Sequence, residues 1–360
     1  MPKTKLDPME AKSVAEIPEG AEWQYEPKWD GFRCLVFRDQ EGVRLQSKAG
    51  QPLGRYFPEL VEAISQIEAK SFILDGEIVI PIDGRLSFDD LLQRIHPAES
   101  RVRKLAAATP AWLIVFDLLA SDDDRSLAEE PLSVRRPKLN TFAKEFFPAN
   151  GALRLSPATR DLAQAKVWFG AASGNLDGLI AKRLDLPYRG GERDGMVKIK
   201  PQRTADCVIG GFRYASKKRE VGSLLLGLYD AEGKLNHVGF CSGLKAADRP
   251  ALTKKLEALI SPPGFTGRAP GGPSRWSTER STEWQPLKPT LVVEVSFDHV
   301  TGDRFRHGTA LLRWRPDKAP EQCTLDQLRQ VSSATLAKLL APAAGNKTQK
   351  TKPVLARGAR

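Results

Sequence analysis

Four cysteines, Cys34, Cys207, Cys241 and Cys323, are spread along the 360 residues and form no Cys-x-x-Cys pair. That scarcity argues against a structural zinc site or a disulfide framework and fits a reducing cytosol. No apolar run approaches the roughly eighteen residues of a membrane span, so no membrane partner is expected. The opening Met1-Pro2-Lys3-Thr4-Lys5 lacks the apolar stretch of a secretory signal. Histidine is rare too: His96, His237, His299 and His307 show no metal-like spacing, and surface or loop roles are expected for them. After Asp326 there is no acid at all, whereas Lys338, Lys347, Lys350, Lys352, Arg357 and Arg360 follow. Residues 343–360 therefore read as a basic disordered tail.

The chain as a whole is basic, with 55 Lys and Arg against 44 Asp and Glu and a net charge of +11. Such an excess favours a polyanionic partner, nucleic acid first. The length admits two or three domains, and a hydrophobic content of 41% allows a sizeable core. Phe32–Phe37 and Val43–Gln46 read as paired strands joined by Asp39-Gln40-Glu41-Gly42. Helical spacing follows at Pro58–Ala69, Ser87–Ile95 (Ser87 as N-cap), Ser133–Phe147 and Thr159–Ala172. Apolar strands are expected at Phe72–Leu74, Trp112–Leu119, Gly178–Ala181 and Met196–Lys200. From Pro201 on the pattern changes to five strands with a single helix between the third and the fourth, which fits a small Greek-key barrel of the OB type. The reading is a mixed α/β (α+β) domain at 1–203 with mixed and antiparallel sheets, an all-β OB-fold domain at 204–342, and the tail.

Chemistry gathers first in Glu26-Pro27-Lys28-Trp29-Asp30-Gly31-Phe32-Arg33. A lysine crowded by other cations, or desolvated, becomes a usable nucleophile toward phosphorus. Asp30 can hold a metal or orient the amine, and the planar fork of Arg33 can neutralise phosphate oxygens. The bland alternative is a charged hairpin, since Asp-Gly is a common turn. Further clusters are Ser47-Lys48, Glu77 after a buried strand, Asp177-Gly178 leading to Lys182, Lys198 with Lys200 on one strand face, and Arg315-Pro316-Asp317-Lys318. Each alone reads equally as a turn carboxylate or a solvated strand face. Trp276 and Trp284 flank a loop read as flexible and basic, where base stacking and packing are equally good readings.

The order of these clusters resembles the covalent nucleotidyltransferase superfamily, whose catalytic domain is ATP-grasp-like, and within it the ATP-dependent DNA ligases. Lys28–Arg33 is similar to the family's K-x-D-G-x-R, Asp75-Gly76-Glu77 to D-G-E, Phe116-Asp117 to its aromatic-bearing strand, and Asp177–Lys182 to E-G-x-x-x-K. Lys198-Ile199-Lys200 is similar to K-x-K, and Arg315–Lys318 to R-x-D-K. The likeness extends to small bacterial ligases of the LigC type and to the ligase module of LigD, here with no polymerase or nuclease module attached. It implies that Lys28 attacks the α-phosphorus of ATP, carries AMP, passes it to the 5′-phosphate of a break in duplex DNA, and that the 3′-hydroxyl then displaces AMP. By the same resemblance Glu26 reads the adenine amino group, Phe116 and Ile180 sandwich the base, and Lys182 belongs to the nucleotide site. Arg33 and Lys48 contact ribose or phosphate, as does Glu77, which with Asp177 is also expected to carry Mg²⁺ or Mn²⁺. Lys198 and Lys200 hold the α-phosphate, and Arg315, Asp317 and Lys318 close over pyrophosphate as the second domain swings on a hinge at 201–204. Two positions depart from the family pattern: Asp177 stands where Glu is usual, and Lys48 where Arg would bind bidentately. The implied partners are nicked or broken duplex DNA and end-binding repair proteins, with a monomeric enzyme in the bacterial cytoplasm. An RNA ligase, a capping guanylyltransferase and a non-catalytic nucleic-acid-binding homologue stay open as alternatives.

Overall fold

The computed structural model describes residues 6–121, 126–170, 176–216, 218–271 and 283–328; the basic tail and Trp276 lie outside them. Strands β1 (Lys12–Val14) and β2 (Trp23–Trp29) belong to one sheet, whereas β3 (Phe32–Asp39), reached through Asp30-Gly31, belongs to another. The charged run is therefore a crossing between two sheets, which corrects the hairpin alternative. Glycine is required at the crossing because a Cβ on Gly31 would collide with the carbonyl oxygen of Ile78.

The hairpin read downstream is present: β3 pairs with β4 (Gly42–Ser47), closing at Asp39 and Gly42. On its other edge β3 pairs with β5 (Phe72–Val79), which is followed by a short ribbon, β6 (Pro81–Ile82) and β7 (Arg85–Leu86). With β8 (Trp112–Ala120) and β9 (Leu153–Leu155) this sheet has the order β4-β3-β5-β8-β9 and is antiparallel except at its β9 edge. The other sheet has the order β1-β11-β10-β2, completed by β10 (Leu176–Arg183) and β11 (Met196–Ile199).

Helix α1 (Pro58–Ser65) is shorter than its apolar spacing suggests, because Ile67 and Ala69 are buried beyond its end in non-helical chain. Ser87 caps α2 (Phe88–Gln93) as expected, its Oγ accepting from the Asp90 amide at 3.3 Å. Helix α3 (Glu99–Ala108) was not legible, since only Val102 and Ala106 are buried in a charged segment. Helices α4 (Leu132–Phe146) and α5 (Leu162–Gly170) complete this half. The α1, α2 and α4 side of the five-stranded sheet packs a core around Phe57, Leu60, Phe72, Leu74, Leu91 and Leu139. A smaller cluster, with Met9, Leu35, Leu119, Tyr188 and Met196, joins the two sheets.

The link between the halves is shorter than the expected hinge. Strand β11 stops at Ile199, and β12 (Arg203–Ala215) already pairs at Arg203, leaving Lys200-Pro201-Gln202 between them. Then come β13 (Lys218–Tyr229), β14 (Leu235–Cys241), helix α6 (Arg249–Glu257), β15 (Gln285–Pro286), β16 (Val292–Phe297), the ribbon β17 (Val300–Thr301) and β18 (Arg304–Phe305), and β19 (Ala310–Trp314). The sheet order is β14-β13-β12-β16-β19, with the helix in the expected place. In place of a fully closed barrel, the two ends of this sheet meet at one isolated parallel bridge, Cys241 to Thr309. Only the residue before β19 reaches β14 there, through the Thr309 amide donating to the Phe240 carbonyl at 3.2 Å. Trp284 packs edge-on against Phe265, its ring centroid 5.5 Å away, and stays partly exposed.

Candidate active site

Between the two sheets of the first half lies a cavity of about 570 Å³, bordered by Glu26, Lys28, Arg33, Glu77, Phe116 and Lys198 among others. Strand register builds it. The pairing of β2 with β10 sets Glu26 opposite Ile180, Gln24 opposite Lys182 and Lys28 opposite Gly178. The pairing of β3 with β5 sets Arg33 opposite Glu77. Because side chains alternate along a strand, Glu26 and Lys28 share one face of β2, and Ile180 and Lys182 share one face of β10.

One end of the cavity is fixed by buried charge. Glu26, 2% exposed, takes Lys182 Nζ at 2.8 Å and the Gln24 side-chain amide at 2.9 Å, with Arg136 Nη1 at 3.8 Å. Lys182 and Arg33 each place their charge 4.6 Å from the centre of the Phe116 ring. Arg33 forks onto Asp75 at 2.5 and 2.6 Å, and Tyr188 donates to the same carboxylate at 2.6 Å. The Met9 amide in turn donates to the Tyr188 hydroxyl at 2.9 Å, tying the N-terminal segment into the cavity wall. Behind this, Arg135 forks onto Asp117 at 2.8 and 3.0 Å.

The other end is organised around Asp177. Lys28 pairs with its Oδ2, Lys200 reaches the same oxygen at 3.0 Å, and His299 Nε2 lies 2.9 Å from Oδ1. Burial alone would raise this carboxyl, but the hydrogen bond from His299 and the charges of Lys28 and Lys200 outweigh it and hold Asp177 well below the usual carboxylate range. The carboxylate beside Lys28 is therefore Asp177, in place of the Asp30 expected to orient the amine. Burial, and then the charges of Lys28, Lys200 and Lys48, pull Lys198 below the ordinary lysine range. Burial pushes Glu77 up to about 7, against the pull of Lys28 and Arg33.

Asp177 faces the site through an irregularity. On β10 the alternate residues Leu179 and Ala181 are fully buried, so a regular strand would turn Asp177 to their side. The register shifts between Leu176 and Gly178, and Gly178 adopts φ of 134°, a conformation open mainly to glycine, which turns the carboxylate toward Lys28.

Several expected site residues stand elsewhere. Asp30 faces the C-terminal half, where Arg306 Nη1 contacts both its carboxylate oxygens at 2.7 and 3.0 Å while stacking 3.2 Å from the Phe88 ring centre. Lys48, by contrast, does border the cavity, but it is 61% exposed and pairs with Glu10 at 2.9 Å. Arg315 pairs with Asp206 at 2.7 Å and with Asp317, and Lys318 lies 3.4 Å from Asp206, so this trio is tied to β12 and does not line the cavity. The face turned to Lys28 is instead Asp298, His299 and Arg306. Sequence reading missed His299 and Arg306, because their partners are joined to them only by the placement of the two halves. Among the described residues no group of three or more His, Cys, Asp or Glu is arranged as a metal centre.

Residues 8–200 match the family described as the ATP dependent DNA ligase domain, and residues 217–318 match the ATP dependent DNA ligase C terminal region. The chain belongs to the ATP-dependent DNA ligases. It is 46% identical over 334 residues to DNA ligase C1 of Mycolicibacterium smegmatis, covering 90% of this chain and 93% of that protein. It is 42% identical over 350 residues to DNA ligase C of Mycobacterium tuberculosis, covering 93% and 97%. A solved structure from work on Lig E DNA ligases superposes with a TM-score of 0.53 at 15% identity over 85% of this chain and 99% of that one, a likeness of fold.

Proposed function

We propose that this ligase seals 5′-phosphate/3′-hydroxyl breaks in duplex DNA by carrying AMP on Lys28, and that it serves DNA repair as a monomer in the bacterial cytoplasm alongside end-binding proteins. The observation that carries the reading is the cavity with Glu26 held by Lys182 at one end and Lys28, with Lys198 and Lys200 beside it, at the other. Glu26 accepts from the adenine amino group, and Phe116 and Ile180 bracket the base. Arg33 and Lys48 meet ribose and phosphate. Lys28 leaves Asp177, gives its ammonium proton to water and attacks the α-phosphorus as the free amine, while Lys198 and Lys200 neutralise the phosphate oxygens and pyrophosphate departs. AMP then passes to the 5′-phosphate, and the 3′-hydroxyl displaces it. Each displacement is in line, so positioning and charge neutralisation supply most of the rate.

Glu77 and Asp177 fit Mg²⁺ or Mn²⁺: both offer hard oxygens, and Asp177 already gathers three nitrogen donors of cationic type. When bound, the ion would neutralise phosphate charge beyond the reach of the lysines. The catalytic half is assigned to residues 1–203 and an OB-type half to 204–342, the latter supported by the sheet order and the position of α6. Arg315, Asp317 and Lys318 act in the first step, after a rotation that carries them, together with Asp206 of the same half, to the pyrophosphate. The net charge of +11 suits a duplex DNA substrate.

The test is incubation with labelled ATP and Mg²⁺, followed by peptide mapping. An acid-labile AMP adduct on Lys28 is expected, with none in Lys28→Ala. An adduct on another residue, or equal labelling of the variant, removes the assignment.

A further inference from the structure

We propose that His299 is a positioning residue for Asp177, supplied from the C-terminal half and used in the DNA-directed stages of the reaction. The inference rests on Lys28 as the AMP carrier and adds a residue that no motif marks.

The geometry is built from both sides. Asp298 and His299 follow β16 and lead into the β17–β18 ribbon. The His299 amide donates to Asp298 Oδ1 at 2.7 Å, and the Arg306 amide donates to the His299 carbonyl at 2.9 Å, so the backbone of His299 is held twice. The ribbon is anchored on the first half by Arg306, gripping Asp30 and lying on Phe88, and by Lys200, 3.4 Å from Asp298. His299 Nε2 thereby comes to 2.9 Å from Asp177 Oδ1, leaving Oδ2 to Lys28 and Lys200. A carboxylate only 6% exposed, with each oxygen directed to a different partner, has one orientation available. Without the imidazole, Oδ1 loses its fixed donor and the carboxylate is free to turn away from Lys28.

The stage follows from what this arrangement withholds. Arg315, Asp317 and Lys318 stand outside the cavity, while His299 and Arg306 reach Asp177 and Asp30 of the first half. An arrangement that turns the pyrophosphate-directed trio away belongs after pyrophosphate has left. In it, Asp177 faces the amine that Lys28 regains when AMP moves to the 5′-phosphate. His299 does not touch the reacting phosphorus; it acts through Asp177.

The experiment compares His299→Ala with His299→Gln, whose amide keeps a donor, in two assays: AMP loading of the enzyme from ATP without DNA, and single-turnover sealing of a nick by AMP-loaded enzyme. In His299→Ala sealing should fall about tenfold or more beyond any fall in loading, the scale of one lost charge-assisted hydrogen bond. His299→Gln should recover most of that loss. Equal losses in both assays, wild-type sealing by the Ala variant, or a Gln variant no better than Ala would each overturn the proposal. Thermal unfolding is followed in parallel, and His299→Leu takes the place of Ala if the smaller side chain lowers stability. Mapping of AMP to a residue other than Lys28 in the wild type would instead remove the underlying reading, so the two failures are distinguishable.

Discussion

The two ends of the nucleotide cavity are built differently. At the base end Glu26, Lys182, Asp75, Asp117, Arg135 and Tyr188 are all buried and locked to one another within the first half of the chain. At the reacting end Lys28, Lys48 and Lys200 remain partly exposed, and Asp30, Asp177 and Lys200 have partners in the other half. Buried ion pairs tolerate little movement, because separating them leaves an uncompensated charge in a poor solvent. A cation that keeps part of its hydration, such as Lys28 or Lys200, leaves a pair at smaller cost than one fully buried with its partner. The buried end is thus preformed, whereas the cations at the other end are left able to change partners; under the proposed function these are the base-binding and the reacting groups.

Disrupting the preformed end should have the largest effect on stability. Asp117→Ala leaves Arg135, 2% exposed, without its carboxylate and should destabilise the protein by about 3–5 kcal/mol, read as a lowered midpoint in urea unfolding. A loss under about 1 kcal/mol would erase the contrast. At the reacting end the effect should be on rate. Lys200→Ala should slow AMP loading about a hundredfold, or about 2.7 kcal/mol of barrier, while shifting the unfolding midpoint little. A large stability loss with normal loading would reverse the comparison. Lys48→Ala, which removes an exposed pair with Glu10, should change stability by less than about 1 kcal/mol and raise the ATP concentration needed for half-maximal loading only a few-fold. Unfolding as severe as that of Asp117→Ala would show that exposure does not separate the two ends.

Much of the preformed end was anticipated through the motif resemblance, and strand alternation accounts for its geometry. Glu26 and Lys28 are two apart on β2, and Ile180 and Lys182 are two apart on β10, so pairing the strands places them around one cavity without further information. Asp177 was legible as chemistry but not as geometry, since its orientation depends on the irregularity at Gly178. The supports behind the motif residues were not visible. Tyr188 and Arg136 reach Asp75 and Glu26 from distant segments, and nothing in their local spacing announces it. His299 and Arg306 were set aside or unmarked because their role depends on how two independently folded sheets are placed. The same dependence left the location of Arg315, Asp317 and Lys318 beyond reach, although their motif was plain. Helix α3 escaped notice because two buried side chains, Val102 and Ala106, give too faint a period.

Lys200 is both the last cation of the catalytic strand pair and the first residue of the three-residue link to β12. Its ammonium touches a carboxylate on each side of that link, Asp177 and Asp298. Any turn of the C-terminal half pivots next to this side chain, so the orientation of one half is felt in the electrostatics of the other without an intervening relay. If Lys200 holds the α-phosphate as proposed, it is a mechanical sensor as well.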